Sequence, residues 1–219
     1  PFIGKKSKLS GYITIAAISC STILSFWALG SVIHNGHSIE FDSHNWIKIQ
    51  NIEINIGIML DGLTTIMLVV VSSVSLLVQI YSTGYMKNDG GYSRYFTYMS
   101  LFTASMIGLV LASNLIQMFV FWELVGASSY LLIGFWFNKP AAAAAAKKAF
   151  IVTRLGDFGF LLAILYLFFN SGSFLANGLN PFEVSDINNA IALGVISSSV
   201  AGWVAVGMFA GAMGKSAQF

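Results

Sequence analysis

Long apolar runs, each closed by a short polar cluster, set the pattern of this chain. They cover residues 11–33, 62–85, 95–112, 114–137, 141–169 and about 188–214. At ~1.5 Å per residue, runs of this size match the ~30 Å hydrocarbon layer of a bilayer, so six membrane-spanning helices are predicted. Between residues 34 and 61 the period changes. Ile47, Ile49, Ile52, Ile54, Ile56 and Ile58 are separated by single polar or small residues, apart from the Gln50-Asn51 pair between Ile49 and Ile52. That period of two predicts a short β-hairpin in an exposed loop.

The breakers agree with these limits. Ser113-Asn114 alone separates the third run from the fourth and predicts a tight helical hairpin. Gly90-Gly91 interrupts the chain before the third run. Pro140 marks the start of the fifth, where a missing N–H costs nothing, and the six alanines from Ala141 to Ala146 extend it as strong helix formers.

Composition turns this pattern into a protein class. Apolar residues make up 56% of the chain, charged residues 9%, and the mean hydropathy is +0.76. These values describe an integral membrane protein, and spans on this scale leave no room for a separate soluble core, so residues 1–219 are read as one transmembrane domain. The chain starts at Pro1 and stops after the polar run Gly214-Lys215-Ser216-Ala217-Gln218, and it is read as a piece of a longer protein. With a single cysteine, Cys20, it offers no disulfide framework and no Fe–S ligand set, so any redox chemistry is expected elsewhere. A net charge of +2 is too small to imply nucleic acid.

The distribution of charge says more. With the N-terminal end placed inside, the inner loops hold Lys5, Lys6, Lys8, Lys87, Arg94, Lys139, Lys147 and Lys148, and the outer loops hold only Lys48. Eight against one gives the orientation by the positive-inside rule. Most acidic residues, Glu40, Asp42, Glu53, Asp61, Glu183 and Asp186, then lie outside, with Asp89 inside.

Four charges remain in or at the end of spans: Glu123, Arg154, Asp157 and Lys215. Glu123 lies nine residues from Asn114, ~13 Å from the outer end, too deep for a short carboxylate to reach water. A charge at mid-span costs roughly 2.5–3.5 kcal/mol on insertion scales, so it normally faces protein or water and marks an ion or proton path. The plainer alternative is a protonated glutamic acid that only joins helices. Desolvation favours that neutral form and a neighbouring cation favours the charged one, so a mobile cation would load and unload the proton.

Arg154 and Asp157 are three apart on one helical face, with Lys147 two turns away on nearly the same side. Here the plain reading is equally good: Arg154 neutralises Asp157 or reaches toward the inner surface. Gly207 and Gly211 put small residues on the face leading to Lys215, which predicts close helix packing. A regular helix from Ala190 would bring Lys215 out at the inner surface; a broken or late-starting one would keep it inside, and spacing leaves both open. His34, His37 and His44 form no convincing metal set. The Phe and Trp residues are read as lipid contact and interfacial belt.

Phe121-Trp122-Glu123-Leu124-Val125-Gly126, continued by Ser129-Tyr130-Leu131-Leu132-Ile133-Gly134-Phe135, resembles the glutamate-bearing helix of the chain L (subunit 5) family of complex I. Leu60-Asp61-Gly62-Leu63, Lys148-Ala149-Phe150, Thr153-Arg154-Leu155-Gly156-Asp157 and the terminal Gly214-Lys215-Ser216-Ala217-Gln218-Phe219 resemble it too, whereas residues 170–189 match less well.

The resemblance implies an all-α, antiporter-like transmembrane helix bundle in the membrane arm of NADH-quinone oxidoreductase. It implies that Glu123 is the intramembrane glutamate and Lys215 its lysine on a broken helix, with Arg154, Asp157 and Lys148 tuning the pair. It also implies a first span, a second inverted-repeat half and a lateral helix beyond this piece. The function expected is proton translocation, coupled to NADH:quinone electron transfer in other subunits. No cofactor is expected in this chain. Its partners would be neighbouring antiporter-like subunits, the lipid bilayer and protons. A bacterial cell inner membrane is expected, with mitochondrial inner and thylakoid membranes as relatives. The rival readings are a subunit of an Mrp-type sodium/proton antiporter or membrane-bound hydrogenase, and a purely structural role.

Overall fold

The computed structural model describes residues 9–41, 44–49, 52–216 and 218. Lys5, Lys6, Lys8, Asp42 and the Gln50-Asn51 pair lie outside the described residues. The main helices are α1 (Leu9–Asn35), α2 (Gly62–Tyr85), α3 (Tyr92–Leu111), α4 (Leu115–Ile133) and α5 (Pro140–Phe169). They are followed by two short helices, α6 (Ser171–Ala176) and α7 (Val184–Ala192), and by α8 (Ser198–Lys215). The long helices pack in series, α1 on α2, α2 on α3, α3 on α4 and α4 on α5, and the most extensive pair is α5 with α8.

Local chemistry starts these helices where the sequence predicts. Asp61 caps α2, accepting from Thr64 N at 2.6 Å, and Asn114 caps α4, accepting from Gln117 N at 2.8 Å. Pro140 opens α5 at its first position. Between α3 and α4 only three residues intervene, the helical hairpin expected from Ser113-Asn114.

The sequence predicts six spans, and four helices among the described residues, α1, α2, α4 and α5, are long and apolar enough to cross a membrane on their own. α3 and α8 are the other two expected spans. At 20 and 18 residues they have near-spanning length, but Arg94 and several hydroxyls dilute the first turns of α3, and α8 carries Lys215 and four glycines.

The last predicted run also differs in shape. A single helix over 188–214 does not form; the chain breaks between Ala192 and Ser198. Gly194 there takes the left-handed φ of 68°, which glycine adopts without steric cost, and Ser197 then caps α8, accepting from Val200 N at 3.4 Å. The helix carrying Lys215 is therefore late-starting.

The outer loop forms the predicted hairpin. β2 (His44–Ile49) pairs antiparallel with β3 (Ile52–Ile56), with Ile47 opposite Ile54 and Ile49 opposite Ile52 and a register irregularity between Asn45 and Ile47. β1 (Ile39–Glu40) and β4 (Met59–Leu60) form a second, two-residue pair that the sequence did not announce. Asn114 ties this layer to the helices by donating from Nδ2 to the Asn55 carbonyl, and Asn180 Nδ2 donates to Glu53 O at 2.6 Å. The main apolar core lies below, where Leu115, Phe160, Leu167, Phe174 and Phe182 meet. A smaller aromatic cluster of Tyr92, Phe96 and Phe135, with Met86, closes the opposite end.

Candidate functional site

Three helices bring the four intramembrane charges together. α4 supplies Glu123, α5 supplies Arg154 and Asp157, and α8 supplies Lys215. Small residues make this approach possible: Gly156, Gly159 and Ala163 of α5 lie against Gly207, Ala210 and Gly214 of α8, so closely that a Cβ on Gly207 would stand 2.7 Å from the Gly159 carbonyl. The close packing expected from the glycine spacing is present, and its partner is α5.

These contacts also fix the depth of Lys215. Because Gly214 lies against Gly156, the last turn of α8 is level with the middle of α4. Lys215 Nζ approaches the position of a Cβ on Gly126 to 2.8 Å, about 10 Å along α4 from its end at Ile133. The side chain is largely enclosed, with 15% of it exposed. The late start of α8 is what decides between the two alternatives that spacing left open.

Arg154 Nη1 pairs with Glu123 Oε2 and lies 3.5 Å from Asp157 Oδ2. Lys215 Nζ lies 4.0 Å from the same Asp157 oxygen. The order is Glu123, Arg154, Asp157, Lys215, with signs alternating. Among the described residues no ion pair joins Glu123 to Lys215 directly; Arg154 and Asp157 stand between them. The plain reading of Arg154, a cation that only neutralises Asp157 or reaches the surface, does not describe this geometry, since Arg154 bridges two carboxylates on different helices.

Asp157 is the most enclosed of the four, with 3% of its side chain exposed. Its Oδ1 accepts from Trp122 Nε1 at 2.6 Å, while Oδ2 takes no hydrogen bond from the described residues and is held by charge alone. Trp122 also receives the lysine: Lys215 Nζ donates to the Trp122 carbonyl at 2.5 Å and lies 5.2 Å from its ring centroid. Arg154 stacks over Phe150 at 4.8 Å. Glu123 and Arg154 retain 30% and 28% exposure, so that end of the row is the more accessible one.

Composition alone assigns Trp122 to lipid contact, and the structure gives it both a donor and an acceptor role in the charged row. One signal was available: an indole N–H at mid-span needs an acceptor, and Gly126, one turn along the same face, leaves open the space the cations fill. Lys148 is exposed on the first half of α5 and makes no ion pair with the row. The histidines stay apart from this site, and no group of three or more metal-ligating side chains occurs among the described residues. Outside the helices, Lys48 donates to Glu53 at 2.6 Å across the hairpin and holds that carboxyl below its ordinary range.

The profile described as NADH-ubiquinone oxidoreductase (complex I), chain 5 N-terminus, matches residues 46–96. That described as NADH:quinone oxidoreductase/Mrp antiporter, TM, matches residues 112–219. NAD(P)H-quinone oxidoreductase subunit 5 of the Marchantia polymorpha chloroplast is 46% identical over 219 residues, covering 99% of this chain and 31% of that protein. NAD(P)H-quinone oxidoreductase chain 5 of Synechocystis is 40% identical over 98% of this chain and 31% of that protein. This chain thus spans less than a third of the length of these relatives.

Among solved structures, a chain of the archaeal membrane-bound sulfane sulfur reductase superimposes with a TM-score of 0.75 at 17% identity, covering 93% of this chain and 38% of that one. A chain of the Mrp complex from a Dietzia species does so with a TM-score of 0.69 at 22% identity, covering 94% and 23%. These likenesses establish an antiporter-like fold. This chain belongs to the antiporter-like chain 5 family of complex I membrane subunits.

Proposed function

We propose that the protein to which this chain belongs is a proton-translocating subunit of NADH:quinone oxidoreductase, and that Glu123, Arg154, Asp157 and Lys215 are its relay in this region. The observation that carries the reading is the row of four alternating charges on three helices. Such a row is neutral as a whole, so adding or removing one proton leaves an unbalanced charge in a medium that opposes it.

A proton taken up by the Glu123 carboxylate removes one partner of Arg154, whose guanidinium then shifts its weight to Asp157, 3.5 Å away. Asp157 attracts Lys215 less as Arg154 occupies it. The ammonium is left with the Trp122 carbonyl and releases a proton to buried water, becoming the neutral amine. One proton has entered at Glu123 and one has left at Lys215; the proton held on Glu123 then passes through buried water to the Lys215 amine, which restores the carboxylate and the ammonium and completes the transfer of one proton. Arg154 and Asp157 thereby link the expected pair, and Lys148 acts from a distance through its field.

Energy for the cycle comes from electron transfer between NADH and quinone in other subunits, so this region needs no cofactor of its own. It stands in the N-terminal part of a longer translocating domain, works beside other antiporter-like subunits as a translocase component, and lies in an energy-coupling membrane. The bacterial inner membrane is the expectation from sequence, and the relatives from a chloroplast and from Synechocystis support a thylakoid membrane as the alternative. A second reading, a subunit of an Mrp-type sodium/proton antiporter, draws support from the shared profile and the Dietzia neighbour.

The test is Glu123→Gln in the full-length protein within its assembled complex, reconstituted in vesicles. Lowered proton pumping at full assembly is expected; unchanged pumping would refute the relay. Pumping that follows an imposed sodium gradient, independent of electron transfer, would move the assignment to the antiporter.

A further inference from the structure

A second site lies at the opposite end of α4, on the side that carries the basic loops. A cavity of about 230 Å³ opens between α3, α4 and α5, and Arg94 and Lys147 reach it from two different helices together with Tyr98 and Tyr130. Arg94 is fixed in place: Nη2 donates to the Phe135 carbonyl at 3.2 Å, and the guanidinium lies 4.8 Å from the Phe135 ring centroid and 5.3 Å from that of Phe137. Those contacts use the faces and one edge of the group and supply no negative charge. Asp89, the acid nearest in sequence, makes no ion pair with Arg94, and Lys147 has no ion-pair partner among the described residues.

The cavity has an apolar continuation. A groove of about 380 Å³ shares Tyr130 and Lys147 with it and is walled otherwise by Phe150 and Ile151, one turn further along α5. Two cations without an ion-pair partner among the described residues, with two phenols beside them and an apolar groove running on from them, form an amphipathic site with a charged head and an oily tail. A free inorganic anion uses only the first half of it. We infer that this is a binding site for an anionic phospholipid, with the head-group phosphate between Arg94 and Lys147 and an acyl chain along Phe150 and Ile151. Interfacial tyrosines suit the same boundary, because their rings lie in the apolar layer while their hydroxyls reach the phosphate.

The inference is independent of proton transfer and is tested by binding. The full-length protein, stripped of lipid in a mild detergent, is titrated with phosphatidylglycerol, phosphatidylcholine and inorganic phosphate, and bound lipid and thermal midpoint are followed by native mass spectrometry and differential scanning. Phosphatidylglycerol is expected to bind and raise the midpoint, phosphatidylcholine to do so more weakly, and phosphate to have no effect. At about 1 kcal/mol per basic residue near a membrane surface, Lys147→Gln weakens the phosphatidylglycerol affinity roughly fivefold, and Lys147→Arg restores it. Lys147 is exposed and has no ion-pair partner among the described residues, so its variants retain the fold where Arg94→Gln, which loses the Phe135 bond, can fail. Equal phosphatidylglycerol binding by the native and Lys147→Gln proteins overturns the site. Equal binding of the two lipids reduces it to an apolar groove, and a midpoint shift by phosphate alone reassigns it to a free anion.

Discussion

Two halves of this bundle bury polar side chains in opposite ways. In α1 to α3 the buried polar groups are neutral: Ser25, Thr65, Ser72, Gln79, Ser82, Thr103 and Ser105 are all below one-tenth exposed. Most of their hydroxyls turn back on their own helix. Thr65 Oγ1 donates to Asp61 O at 2.8 Å, Ser82 Oγ to Val78 O at 2.7 Å and Ser105 Oγ to Leu101 O at 2.7 Å. In α4, α5 and α8 one hydroxyl, Ser128, is buried in the same way, but beside it stands a charged row, Asp157 buried and Glu123, Arg154 and Lys215 half-buried, whose bonds cross between helices: Trp122 to Asp157, Lys215 to Trp122, Arg154 to Glu123.

The contrast follows from what a helix offers its own side chains. A carbonyl four residues back satisfies a hydroxyl, so the helix carries that group at little cost wherever it goes. Nothing within one helix turn compensates a full charge in an apolar medium, so Glu123 and Lys215 depend on α5. Neutral seams fasten helices; charged rows make the position of one helix felt by another.

The largest expected effect breaks this contrast on the charged side. Asp157→Ala takes away the acceptor of Trp122, leaves Arg154 with Glu123 alone and removes the one carboxylate that pairs with Lys215 among the described residues, a loss of about 3 kcal/mol for a buried pair broken at one partner. Ser72→Ala, at an equally enclosed position in the neutral seam, costs about 0.5 kcal/mol. Both are measured on the full-length protein in detergent by denaturant titration of its helical signal. Equal losses in the two halves would mean that the charges are ordinary packing groups.

The halves also differed in how readily the sequence disclosed them. Helix starts were legible because their causes are local: Asp61, Asn114 and Pro140 each act within one turn. The alternating isoleucines disclosed β2 and β3 for the same reason, whereas β1 and β4, two residues each, exist only because residues 39–40 and 59–60 meet across the loop. The charged residues were visible singly from their cost in a membrane. Their order was not, since the Arg154 and Asp157 bridge between Glu123 and Lys215 depends on how far α8 slides along α5. That depth is set by a break at Gly194 and by glycine contacts between helices more than forty residues apart in sequence. Trp122 stayed hidden because apolar composition describes its ring and not its N–H.

A smaller effect sharpens the comparison by separating stability from transport. A Cβ on Gly126 would stand 2.8 Å from Lys215 Nζ and 3.2 Å from Arg154 Nη2, both at the free ends of long side chains. Gly126→Ala therefore moves the cations with little damage to backbone packing, and its stability loss stays at about 1 kcal/mol or less. If the proposed relay holds, proton pumping by the assembled complex falls well beyond what that loss explains. Gly207→Ala instead meets the Gly159 carbonyl at 2.7 Å and Ala163 at 2.9 Å, which forces α5 and α8 apart, so stability and transport fall together. Parallel behaviour of the two variants in both assays would remove Gly126 from the relay's surroundings.

The smallest effect concerns a charge that water can satisfy. Asp89, in the loop joining α2 to α3, accepts from Trp136 Nε1 at 3.0 Å and from Gly91 N at 2.7 Å. The Trp136 bond first, and the Gly91 bond second, hold its carboxyl below its ordinary range. A depressed carboxyl stabilises the fold above its unfolded value, and that contribution is lost as the pH falls through the folded one. Because the group is partly solvated, the stability at stake is slight, and the titration itself is the better observable. The difference infrared titration between the native protein and Asp89→Asn isolates this carboxylate, and its midpoint is expected below that of an ordinary aspartate. Trp136→Phe, which removes the leading cause, moves the midpoint upward by more than any change at Arg94, the weakest contributor. A midpoint indifferent to Trp136 would mean that even a loop carboxylate here takes its charge state from the fields of distant cations, and the distinction between local and cross-helix satisfaction would fail at its simplest case.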